Sequence, residues 1–217
     1  MPRFARNASM GNFWIGLGAV ACFATLQYAG LVWMNTFLAK RGMSAGGTML
    51  TSLCTRATSI ALAFPAAWIA DEKGVAWMVF TSGAAIAVLG LPSFMLLDAY
   101  PTSLAVVLPI VGVGYAALAA AGSAVLLYIV ELFPTAVRGT AVGITWNVSL
   151  TIFGGLAPMA CEASRHIMRL GPGFILSFSG LVTAASIFLA QIMRRKGLVT
   201  LTHVRPKPYF SSKRLWI

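Results

Sequence analysis

VAWMVFTSGAAIAVLGLPSFMLL, residues 75–97, carries no charged side chain, and charges bracket it: Asp71, Glu72 and Lys73 before it, Asp98 after it. As an α-helix rising about 1.5 Å per residue, it reaches across a hydrocarbon core of roughly 30 Å. It has no polar face of the kind a helix on a soluble core needs. Working outward, five more segments of this kind appear at 13–38, 48–70, 103–130, 140–161 and 172–193, separated by short polar stretches. Arg56 is the one charged residue inside the six segments. In lipid only helices and closed barrels satisfy their backbone groups, and these segments are too long and too uniformly apolar for barrel strands. The expected fold is therefore an all-α membrane protein: a short N-terminus at 1–12, a six-helix bundle at 13–193 and a basic tail at 194–217.

Composition agrees. Hydrophobic residues make up 59% of the chain and charged residues 10%, against about 25% charged in soluble proteins. The net charge of +11 does not signal nucleic-acid binding, because the basic residues sit at chain ends and in loops, not along a face interleaved with aromatics. Six spans place both termini on one side. That side holds Arg3, Arg6, Lys73, Arg138, Arg194, Arg195, Lys196, Arg205, Lys207, Lys213 and Arg214, and the other holds Lys40, Arg41, Arg165 and Arg169. The excess of Lys and Arg marks the cytoplasmic side, so both termini are expected there. The first segment is too long for a signal peptide and lacks a small-residue cleavage pattern, and it reads as an uncleaved inserting helix. The tail has seven basic residues, no acidic one, and Tyr209, Phe210 and Trp216. It is expected to be a weakly ordered cytoplasmic segment that either anchors on anionic lipid or acts only as a positive-inside determinant.

Enzymatic chemistry finds few residues to use. Cys22, Cys54 and Cys161 are scattered through apolar segments and read as small hydrophobes, with no disulfide framework or CxxC metal site. His166 and His203 have no metal-ligand spacing, and neither lies in a span where it could act as a base toward Ser123, which follows Gly122. No cofactor or metal is expected, and the chain does not read as an enzyme. Asn7 and Asn147 match the glycosylation pattern by chance, one on the cytoplasmic side and one within a span.

Polar groups at membrane depth are costly and usually face a cavity or a partner helix. Arg56 either anchors an anionic solute or acidic partner, or snorkels to the outer headgroups. Gln27, Tyr28 and Asn35 punctuate the first segment, with Gln27 and Asn35 about 80° apart on an α-helix. Trp146 and Asn147 interrupt the fifth segment. Each amide is either part of a cavity wall or interhelical glue. The fourth segment is rich in small residues, including Gly112, Gly114 and Gly122, which allow close packing, sliding or bending. The Gly139-xxx-Gly143 pair also fits close helix packing, and a homodimer seam is one use for such spacing.

The loop after the fourth segment reads Glu131-Leu132-Phe133-Pro134-Thr135-Ala136-Val137-Arg138-Gly139, with Gly143 beyond. It resembles the E-x-x-P-T-x-x-R-x-x-x-x-G signature between helices ten and eleven of the major facilitator superfamily. Trp146-Asn147-Val148-Ser149 and Phe153-Gly154-Gly155-Leu156-Ala157-Pro158 look like helix eleven of its metabolite:proton symporter family, which includes proline/betaine, α-ketoglutarate, citrate and shikimate transporters. Asp71 and Gly74 match part of the G-x-x-x-D-x-x-G-R-R motif between helices eight and nine. Ala67, Val75 and Ala76 depart from it, and the basic pair that locks a cytoplasmic gate in that family is absent.

The resemblance implies a C-terminal six-helix half built from two inverted three-helix repeats, with spans one, two, four and five facing a central cavity. It implies a symporter for a small organic solute in a bacterial inner membrane, proton-coupled when complete. The expected partners are the bilayer, the solute, protons, and a missing first half or a second copy of this chain. No acidic residue lies inside the segments as delimited here, so the chain is not expected to couple protons on its own. Residues expected to form the solute wall are Gln27, Tyr28, Arg56, Tyr115, Trp146 and Asn147. Those expected to form the gating loops are Asp71, Gly74, Glu131, Pro134, Thr135, Arg138 and Gly143. Gly112, Gly114, Gly154, Gly155 and Pro158 are expected to serve helix packing. The competing expectation is a non-transporting remnant or membrane scaffold.

Overall fold

A computed structural model of the protein describes residues 3–195, with side chains over 10–193. The basic tail, apart from the backbone of its first two residues, and the side chains of Arg3 and Arg6 lie outside the described residues. The described residues form an all-α chain with six helices long and apolar enough to cross a membrane. These are α1 (Met10–Lys40, with helix already from Arg3), α2 (Ala45–Lys73), α3 (Val75–Ala99), α4 (Leu104–Leu132), α5 (Arg138–Ile167) and α6 (Gly171–Met193, continuing to Arg195). Most helices run past the ends of the apolar segments. Asp71, Glu72, Asp98, Glu131 and Glu162, expected in loops, therefore sit within helices, in their last one or two turns.

Local chemistry fixes the helix ends. The Ser44 hydroxyl accepts from Gly47 N at 3.1 Å and caps the start of α2. Gly74, at φ +97°, closes α2, its N–H donating to Ala70 O at 2.8 Å, a left-handed conformation a side chain would strain. The last carbonyls of α4 are served from two other helices. Asn12 Nδ2 donates to Leu132 O at 2.6 Å and Arg138 Nε to Phe133 O at 3.1 Å. The start of α1 and the Phe133–Arg138 turn therefore lie at one end of the bundle. Trp14, Trp68 and Trp77 are exposed near that end, as an aromatic belt at a membrane interface would be.

The most buried of the six, α1, is the post around which the others pack. Thr183 of α6 holds it by accepting from Cys22 N at 2.9 Å and donating to Gly18 O at 3.0 Å. Its hydroxyl is thus spliced beside one step of the α1 hydrogen-bond ladder. From α5, Ser149 Oγ reaches Leu17 O at 3.4 Å. Without water nearby, such hydroxyl-to-carbonyl bonds act as interhelical glue, each worth about 0.6–2 kcal/mol.

The closest helix approach is between α3 and α6, and it does not use the glycines expected to pack. A Cβ on Gly83 would sit 3.1 Å from Gly180 O, and one on Gly90 would sit 2.8 Å from Ser177 N. Gly173 and Gly180 close the same seam from α6. Of the expected packing residues, Gly112 meets Cys54 of α2 at 3.3 Å and Gly154 meets the Tyr28 ring. Gly114 and Gly155 approach only carbonyls of their own helix, while Gly139 and Gly143 face open space. The expected Gly139-xxx-Gly143 pair does not pack within this bundle: among the described residues nothing lies within 4 Å of a Cβ at either position. Pro158 opens the straight helix beyond a bend at Leu156.

Three helices leave the α-helical pattern at mid-length. Leu26–Trp33 of α1, Leu108–Tyr115 of α4 and Leu150–Gly155 of α5 are π-helical, and the first packs against both of the others. Such segments are rare and gather at functional sites.

Candidate functional site

Arg56 stands on α2 about 16 Å along the axis from Ala45 and about 25 Å from Lys73. It is exposed there and takes part in none of the ion pairs among the described residues. Beside it opens a cleft of about 350 Å³, lined by Phe23, Gln27, Tyr28 and Val32 of α1, Arg56 of α2, and Trp146 and Leu150 of α5. The π-helical stretch of α1 supplies Gln27, Tyr28 and Val32, and the start of the π-helical stretch of α5 supplies Leu150. Phe23 and Trp146 meet with ring centroids 5.8 Å apart and planes tilted by 37°, an aromatic wall bridging α1 and α5.

Chemically, the cleft joins one guanidinium to an amide, a phenol and two aromatic faces. A guanidinium presents a planar fork of donors that fits a carboxylate bidentately, and it stays charged even where water is scarce. Aromatic faces receive the apolar or cationic part of a small solute.

Four of the six expected wall residues, Gln27, Tyr28, Arg56 and Trp146, line this one cleft. Tyr115 does not. It is buried, its hydroxyl pairs with Ser93 Oγ of α3 at 2.7 Å, and its ring lies against Gly30. Its polar tip serves helix packing. Asn147 is exposed, does not line the cleft, and donates to Gly143 O of its own helix at 2.8 Å. Asn35 likewise donates to Leu31 O at 2.7 Å and is absent from the lining. The 80° estimate for Gln27 and Asn35 assumed an unbroken α-helix, whereas Leu26–Trp33 is π-helical. Phe23, Val32 and Leu150 were not singled out from sequence because nothing distinguishes them from lipid-facing apolar residues.

At the loops, Asp71 is exposed in the last turn of α2 and Lys73 Nζ lies 4.6 Å from the Trp77 ring centroid. Pro134 and Thr135 are exposed in the turn between α4 and α5, next to half-buried Glu131 and Arg138.

The opposite end of the bundle carries a cluster that sequence reading placed only in loops. The Asp98 side chain is 3% exposed and receives both Arg41, just past the end of α1, and Arg169 from the turn before α6. Glu162 of α5 accepts from Lys40 Nζ at 2.8 Å and from Trp33 Nε1 at 3.0 Å. Beside them Trp33 stacks with Phe37 and Phe94, which are tilted 39° to each other, and the Arg165 guanidinium lies 4.6 Å from the Phe37 ring centroid. The ends of α1, α3 and α5 and the start of α6 are tied together there by charge and by rings.

No protein-family model matches the chain, and no solved structure matches it. An ectoine/proline transporter, ProP, of Corynebacterium glutamicum is 28% identical to it over 203 residues, which is 89% of this chain and 39% of that protein. The chain thus spans about two fifths of its relative's length. Its six apolar helices and this similarity make it a membrane protein distantly related to a bacterial solute transporter.

Proposed function

We propose that the chain forms one six-helix half of a secondary transporter for a small organic solute, either an organic acid or a compatible solute, with Arg56 as the anchor for the solute's anionic group. The observation that carries this reading is the cleft, where a guanidinium that joins no ion pair among the described residues shares the lining with Gln27, Tyr28 and Trp146. The similarity to an ectoine/proline transporter supports the solute class, because both named solutes pair a carboxylate with a cationic or apolar body that aromatic faces can hold. Alternating access would come from this bundle rocking against a second one across the cleft, a separately supplied half or another copy. Proton coupling belongs to that complete assembly. The excess of basic residues on one side supports cytoplasmic termini, and the similarity to a bacterial transporter supports a bacterial plasma-membrane location.

The test is binding and uptake of labelled proline, ectoine and α-ketoglutarate by the full chain in proteoliposomes, with and without a candidate partner half. Arg56→Ala is expected to abolish binding and Arg56→Lys to keep part of it, since a lysine supplies charge without the fork. Equal binding by wild type and Arg56→Ala overturns the anchor. Absence of binding and uptake in every pairing favours the second reading, a non-transporting remnant or scaffold. That reading is supported by a cleft walled only by α1, α2 and α5.

A further inference from the structure

We infer that Gly154 sets the width of the cleft, by letting the Tyr28 ring lie flat against α5, and so selects solutes by size. The inference rests on the cleft being the solute site. Gly154 is buried, whereas Gly155 and Thr151 beside it are exposed. A Cβ built on it would stand 2.8 Å from Cδ2 and 3.0 Å from Cε2 of Tyr28, distances that two carbons do not tolerate. Tyr28 is 42% exposed and lines the cleft.

One contact opposes the two backbones moving apart to admit a methyl group. Thr25 Oγ1, in the turn before Tyr28, donates to Phe153 O at 3.0 Å, and Phe153 is the neighbour of Gly154. This bond clamps α1 to α5 within one turn of the contact. The adjustable element is then the ring, and the space open to it is the cleft. Any side chain at 154 pushes the phenol toward the solute and leaves Arg56, on a different helix, untouched. Gly154 is therefore a positioning residue acting through Tyr28. Larger side chains at 154 progressively exclude bulky solutes while small ones are still held by Arg56.

The experiment uses the full chain in liposomes, with Cys22, Cys54 and Cys161 replaced by Ala and a reporter Gln27→Cys placed in the cleft. Two cationic thiol reagents of different bulk are compared, a methanethiosulfonate ethylammonium and its trimethylammonium counterpart. Gly154→Ala is expected to slow the bulkier reagent by about tenfold or more and the smaller by no more than about twofold, as overpacking against a fixed backbone would. Adding Tyr28→Ala is expected to restore the bulky rate, and Tyr28→Ala alone to raise it above that of the parent. A merely structural glycine would slow both reagents alike, with no rescue by Tyr28→Ala. That result, or no change with either reagent, overturns the inference. If Gly154→Ala fails to accumulate, Tyr28→Ala alone decides, and an unchanged bulky rate refutes the proposal. Solute binding indifferent to Arg56 removes the solute-site reading while leaving the labelling result standing, so the two failures are distinguishable.

Discussion

Asp98→Asn is the sharpest test of how the bundle is held at the end opposite its N-terminus. The Asp98 side chain is 3% exposed between Arg41 and Arg169, whose side chains are 34% and 72% exposed. Asparagine keeps the shape but offers one carbonyl oxygen where two charged oxygens had been, so one guanidinium loses its acceptor. A hydrogen bond to a charged group contributes about 1.5–3 kcal/mol. Solvent reaching both arginines screens the loss, which places the cost near 1–2 kcal/mol. For a chain of this size that is a drop of about 2–8 °C in apparent Tm, at about 2–4 °C per kcal/mol. The assay is thermal unfolding of purified protein in a mild detergent, read by the fraction remaining monodisperse. Lys40→Ala is the control, because the Lys40–Glu162 pair has side chains 55% and 36% exposed and is worth about 1 kcal/mol or less. Combining Asp98→Asn with Arg41→Ala should cost less than the sum of the two, since both remove one interaction. If Asp98→Asn falls no further than Lys40→Ala, or if the double variant is strictly additive, the clamp reasoning is wrong.

Gly90→Ala should destabilise by about 1–3 kcal/mol through overpacking against Ser177. Gly143→Ala, which meets open space, should be neutral or gain about 0.5–1 kcal/mol; the same thermal assay compares the pair. Asn12→Ala and Arg138→Ala each withdraw a donor from the end of α4, at a cost of about 1 kcal/mol. Faster amide exchange in residues 125–133 should report it. A peptide of residues 194–217 should bind vesicles in proportion to their anionic lipid, each basic residue adding about 1 kcal/mol, and should release in high salt. Binding indifferent to lipid charge and to salt would refute that reading.

Six helices were legible because the bilayer imposes a length and removes charge, and both leave marks in a single sequence. Arg56, Gln27, Tyr28 and Trp146 could be grouped from sequence because polarity at membrane depth is costly wherever it lacks a purpose, and they line one cleft. Tyr115 and Asn147 do not line that cleft: the phenol is satisfied by Ser93 on a neighbouring helix and the amide by its own helix, and neither partner is visible in the local sequence. The α3–α6 seam escaped because Gly83 and Gly90 are seven positions apart, as are Gly173 and Gly180, and they acquire meaning only against each other across the fold. The local Gly139-xxx-Gly143 spacing was more conspicuous and packs against nothing here. Asp98 looked like an ordinary loop charge because Arg41 and Arg169, far from it in sequence, are what bury it.

The π-helical stretches also bear on how this chain tolerates changes in length. A π turn bonds i to i+5 and so holds one residue more than an α turn. Deleting a residue from 26–33, 108–115 or 150–155 can therefore be absorbed by closing the turn to an α-helix, with both flanking halves keeping their facing. The same deletion near Val20 would swing everything beyond it by about 100°, carrying Cys22 away from Thr183 and Thr25 away from Phe153. Single-residue deletions scanned along α1 should thus divide into a permissive window at its middle and intolerant stretches on either side.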